Sequence, residues 1–126
     1  MPADAAEARG RVRVLLDRVR GAAPAAARDP VVADALLVTS ELVTNALRHA
    51  GGLTGFEAAY ERTPDGMGLR LVVEDASADL PTARVKEDDF APGGYGWPMV
   101  CRLASSVSVS ALPSGGKRIQ VLLALG

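Results

Sequence analysis

The sequence has one cysteine, Cys101, and one histidine, His49. A lone cysteine forms no internal disulfide and suits a reducing compartment. One His with one Cys also falls short of the usual zinc ligand set. The 14 basic and 15 acidic residues leave a formal charge of −1, and the arginines are scattered, so the basic footprint of a nucleic-acid-binding protein is missing. No uninterrupted apolar run approaches the roughly 18 residues that span a bilayer. The opening stretch MPADAAEARGR carries charges where a signal peptide needs an apolar core. The expectation is a cytoplasmic protein with neither a membrane nor a direct nucleic-acid partner. There is no Gly-Lys-Ser/Thr of a Walker loop, and Ser, His and Asp occur without a nucleophile elbow.

What is present describes one soluble globular domain spanning residues 1–126, with 48% hydrophobic and 23% charged residues. Ala5, Ala8, Val12, Leu15, Leu16 and Val19 recur at spacings of three and four, which predicts an amphipathic helix from Asp4, its N-cap, to Arg20. GAAPAAARDP is punctuation that ends in an Asp29 cap and a Pro30 first helical position. The second helix is predicted from Pro30 to Ala50. Its apolar arc holds Val32, Ala35, Leu36, Leu42, Val43, Ala46, Leu47 and Ala50, while Glu41, Asn45 and Arg48 gather on the other side within about 60°. Gly51 and Gly52 stop it.

The period then changes from helix to strand. Residues 53–62 and 68–75 flank TPDG and predict an antiparallel hairpin. The stretch 76–96, with Pro81, Pro92 and a run of acids, predicts a long loop. A short helix over 97–105 follows, then strands over 107–112 and 117–125 joined at PSGG. The order α, α, β, β, loop, α, β, β predicts an α+β fold, a two-layer sandwich with helices on one face of a largely antiparallel sheet.

Three groups of residues could carry chemistry. Glu41 and Asn45, one helical turn apart, project side by side. The amide oxygen suits Mg²⁺ and the carboxylate could deprotonate a nucleophile, or the pair is simply part of a solvated helix face. Asp75, leaving an apolar strand in VVEDAS, either accepts a hydrogen bond from an exocyclic amine such as that of adenine, with Ser77 assisting, or caps its own loop. PGGYGWPMVCRLA places glycines at 93, 94 and 96 ahead of a helix, where backbone can approach a phosphate. Tyr95 and Trp97 beside them either stack on a base or pack.

In this order the motifs resemble the histidine-kinase-like ATPase superfamily, whose Bergerat fold is shared by gyrase, heat-shock protein 90 and sensor kinases. More narrowly, LLVTSELVTNALRHA, VVEDAS with LP, GGYGWPMV and GGKRIQVLLAL are similar to actinobacterial anti-sigma factor serine kinases, over about residues 8 to 125. The resemblance implies that Glu41 is the general base, that Asn45 holds Mg²⁺ against the triphosphate of ATP, and that Asp75 binds the adenine amine with Ser77 beside it. It further implies that Gly94 and Gly96 bound a phosphate-covering lid over about 78–97, with Arg48 and His49 as supporting residues. It implies as partners a sigma factor and a small anti-sigma factor antagonist phosphorylated on serine, and allows a homodimer. Two departures stand out. Gly94-Tyr95-Gly96-Trp97, followed by Pro98, replaces the common Gly-Arg-Gly-Leu. Arg118 stands where Thr usually follows Gly-Lys, which bears on one hydrogen bond near the adenine. These departures keep open a second reading, an ATP-binding interaction module without catalysis.

Overall fold

The computed structural model describes residues 1–20, 29–79 and 96–125. It contains α1 (Ala5–Arg20), α2 (Pro30–His49), β1 (Leu53–Thr63), β2 (Gly66–Asp75), α3 (Gly96–Leu103), β3 (Ser106–Ala111) and β4 (Lys117–Ala124). Both long helices begin where the sequence places a cap. The Asp4 carboxylate accepts from Glu7 N–H at 2.8 Å and Asp29 from Val31 N–H at 2.9 Å, each satisfying a donor that the first turn leaves without an intrahelical partner.

All strand pairs are antiparallel, in the order β1-β2-β4-β3. The hairpin between β1 and β2 is tight: Thr63 pairs with Gly66, so Pro64 and Asp65 alone make the turn. Strand β2 pairs next with β4, from Gly68 opposite Ala124 to Asp75 opposite Lys117. This puts the segment richest in β-branched and leucine residues at the centre of the sheet. Leu69, Leu71 and Val73 of β2 and Ile119, Val121 and Leu123 of β4 point to the helix side and are buried. Each such side chain contributes roughly 1.5–3 kcal/mol when removed from water.

The helices cover that one face, as the alternation of the strands requires. Val12 and Leu16 of α1, Val32, Ala35, Val38, Leu42 and Ala46 of α2, and Val100 of α3 join the same core. Arg9 donates to Ser40 Oγ at 2.8 Å and Tyr60 Oη to Leu15 C=O at 3.1 Å, fixing α1 to α2 and to β1. The fold is α+β, as the periodicity predicts.

The expected arc of α2 is corrected in detail. Val38 and Thr39 are fully buried, whereas Leu36 is only half-buried and Leu47 is exposed. The buried stripe is thus centred on 35, 38, 39, 42 and 46, and Thr39 enters it by donating its hydroxyl to Ala35 C=O at 2.7 Å. By length and composition α2 is also apolar enough to cross a membrane, with a mean hydropathy of 1.3. Val32, Ala35, Val38, Leu42 and Ala46 pack in the core, as in a helix laid on a sheet, while Leu37 and Leu47 are exposed.

Candidate functional site

Glu41 and Asn45 lie on the edge of α2 that α3 approaches, and both are half-buried. Gly96, the first residue of α3, is buried against Glu41. A Cβ at that position would collide with Glu41 Oε2 and stand 2.8 Å from its Cδ, so with glycine here the carboxylate keeps its place against the helix, and with any other residue it must shift or the helix must. Oε2 itself is buried and has no hydrogen-bond partner among the described residues. Leaving a buried acceptor unpaired costs about 1–3 kcal/mol, more for a charged group. The fold therefore holds this oxygen against the head of α3, whose first N–H groups also lack intrahelical partners. A solvated helix face describes Arg48 and His49, both exposed in the last turn, where cations meet the negative end of the helix dipole. It does not describe Glu41.

Asp75 ends β2 on the helix side of the sheet and is 2% exposed. Its Oδ1 accepts from Ser77 N–H at 3.0 Å and from Lys117 Nζ at 3.0 Å. The Lys117 ammonium also donates to Ser77 C=O at 3.3 Å, and Ser77 Oγ accepts from Asp79 N–H at 3.0 Å. The loop-capping role of Asp75 is thus present at one oxygen. The other, Oδ2, takes no hydrogen bond among the described residues. Backbone approach is close here too: a Cβ at Gly116 would collide with the Asp75 carbonyl.

The two clusters meet through the end of α2. Ala76 N–H, next to Asp75, donates to Ala50 C=O at 3.2 Å and to Gly52 C=O at 3.3 Å. Nine helical steps lead from Glu41 to Ala50, about 14 Å at 1.5 Å per residue. A carboxylate at one end of that span, an amide near its middle and a carboxylate at the other end suit an elongated ligand such as a nucleoside triphosphate.

Lys117 is the residue that motif reading passed over. Its signal lay in the strands: pairing the last residue of β2 with the first of β4 sets Asp75 opposite Lys117 on one face. The same alternation corrects the expectation for Arg118. Its side chain points to the opposite face, where its Nε donates to Glu74 Oε2 at 2.6 Å, so the replacement of Thr by Arg does not touch the base end of the site. Arg118 belongs instead to a charged outer surface with Glu74 and with Arg70, which pairs with Glu61 at 3.2 Å and Glu57 at 3.7 Å. The Arg70–Glu61 contact meets the distance for an ion pair but lacks the direction of a hydrogen bond at Nε. Gly94, Tyr95 and all of the predicted lid except residues 78, 79, 96 and 97 lie outside the described residues. Trp97 packs partly buried on the core.

Among the described residues no three His, Cys, Asp or Glu side chains are grouped to hold a metal by themselves. Mg²⁺ is usually bound through one or two protein oxygens, its remaining positions going to water and phosphate oxygens. The Asn45 amide, one helical turn from a buried carboxylate oxygen with no partner among the described residues, fits that smaller demand.

None of the curated proteins compared with the chain matches it. The family model described as the histidine kinase-like ATPase domain matches residues 1–123, nearly the full length, and the chain belongs to that family.

Proposed function

We propose that the protein binds ATP with Mg²⁺ and acts as a regulatory serine kinase in a partner-switching system, phosphorylating a small antagonist of an anti-sigma factor in the cytoplasm. The observation that supports it most is Glu41 Oε2, buried with no partner among the described residues against the head of α3, one helical turn from Asn45. A family that binds ATP gives that oxygen a use. Asn45 would hold the ion, Asp75 would accept from the adenine amine with Ser77 beside it, and Gly96 would let the backbone close on the phosphates. The ion would neutralise charge on the triphosphate.

In the transfer, the seryl hydroxyl of the antagonist gives its proton to Glu41 Oε2 while its oxygen bonds to the γ-phosphorus. The bond from that phosphorus to the bridging oxygen breaks and ADP leaves with the electron pair. The phosphate then on the antagonist adds charge at the protein interface and weakens binding there. Sequestration of a sigma factor by the unengaged kinase completes the scheme.

Purified protein incubated with labelled ATP and a candidate antagonist is expected to label the antagonist, and Glu41→Ala to abolish the label. Calorimetry with ATP and Mg²⁺ on the wild type and on Asn45→Ala tests the site without a partner; equal affinity in the two would end the reading. The second reading, a nucleotide-loaded interaction module, rests on Tyr95, Trp97 and Pro98 replacing a basic lid residue and its neighbour. Arg118 no longer supports it. ATP binding with no transfer to any antagonist would favour that module.

A further inference from the structure

The buried pair Lys117–Asp75 contains a donor that has no partner among the described residues. The two side chains are 6% and 3% exposed, and Nζ lies 3.0 Å from Asp75 Oδ1. Taking an ammonium out of water is costly unless its hydrogen bonds are replaced. An ammonium has three N–H groups. Among the described residues, Lys117 uses two, toward Asp75 Oδ1 and Ser77 C=O. The third N–H and Asp75 Oδ2 have no partner among the described residues, and because Nζ and Oδ2 both adjoin Oδ1, a charged donor stands near a charged acceptor. Both groups are held in place. Lys117 is tied at two acceptors and set by the β2–β4 register, and Asp75 is tied by Ser77 N–H.

We propose that Lys117 is a specificity-determining residue that reads the base directly. While Asp75 Oδ2 accepts from the exocyclic amine of adenine, Lys117 donates its third N–H to the adjacent ring nitrogen, N1. This rests on the ATP reading above. Adenine's edge presents a donor, the 6-amino group, next to an acceptor, N1, which complements an acceptor next to a donor. A 6-oxopurine presents the reverse order, and with both protein groups tethered the order cannot be exchanged. The base enters against a neutral ion pair, so no carboxylate has to be stripped of its counter-charge.

The test is equilibrium binding of ATP and of 1-deaza-ATP, which keeps the amine and replaces N1 by C–H, to the full chain with Mg²⁺. The wild type is expected to bind 1-deaza-ATP about tenfold or more weakly, the weight of one charge-assisted hydrogen bond. Lys117→Met, which keeps the aliphatic stem, is expected to bind ATP more weakly by a similar factor and to show no preference between the two ligands. A purely structural role for Lys117 would lower both affinities together and preserve the preference. Equal binding of the two ligands by the wild type overturns the inference while leaving ATP binding intact, and it needs no variant to fold. A Lys117→Met protein that folds and keeps the full preference also overturns it. Absence of ATP binding to the wild type overturns the underlying reading and the inference with it.

Discussion

At the scale of single residues, the molecule accepts a local penalty at Glu41. A buried carboxylate oxygen without a partner lowers stability, and positions of this kind are tolerated where function requires the group. Glu41→Gln is therefore expected to raise stability by on the order of 1 kcal/mol in chemical denaturation, while phosphate transfer is lost. A variant that loses both stability and transfer would mean that the carboxylate serves the fold. Gly96→Ala makes the complementary case. The added methyl meets the Glu41 carboxylate, so either the head of α3 or the acid must shift. Weakened ATP binding is expected, with a stability loss of about 1–3 kcal/mol; calorimetry and thermal melts read the two effects separately. Glu41 and Asn45 were legible in the sequence as a pair. What the sequence did not carry was Gly96 closing on Glu41, because that contact joins segments 55 residues apart.

Among the elements, α2 shows how far local chemistry reaches. Its cap, its first-turn proline and its polar edge are all written within a single stretch, and the helix starts where they say. The Asp29→Ala variant is expected to cost about 1 kcal/mol, seen as a lower denaturation midpoint with little change in the slope. The centre of its buried stripe was less legible. Leu36 and Leu47 are as apolar as Leu42, and only the position of the sheet decides that Val38 and Thr39 turn inward while Leu47 stays in water. The strands were read to within two residues because their alternation and turns are local signals. Lys117 and Arg118 were harder, since a motif does not say which of two neighbours faces the site. Period two does, once the partner strand is known.

Over the whole molecule, one core does two jobs. Leu71, fully buried in the central strand, touches no candidate site residue in sequence, yet it helps fix the layer on which α2 stands. Leu71→Ala is expected to cost about 2–5 kcal/mol, with ATP affinity at low temperature nearly unchanged so long as the chain stays folded. A large loss of affinity in the folded variant would show that the site depends on the packing of the sheet centre. The α+β class followed from the order of local periods. The strand order β1-β2-β4-β3 did not, because the pairing of β2 with β4 is set by hydrophobic burial across a long connection rather than by any turn.

That pairing also has a kinetic meaning. Asp75 and Lys117 form the terminal rung of the β2–β4 ladder, 42 positions apart in the chain. Bringing such distant positions together costs roughly 3 kcal/mol of chain entropy, and contacts of this range slow folding. Partly folded chains that have made α2 and the β1–β2 hairpin still lack the rung, and so cannot present the acceptor and donor together. During refolding, nucleotide binding should therefore return in the same phase that closes the sheet and never ahead of it, so that ATP captures finished molecules and slows their unfolding rather than speeding their assembly.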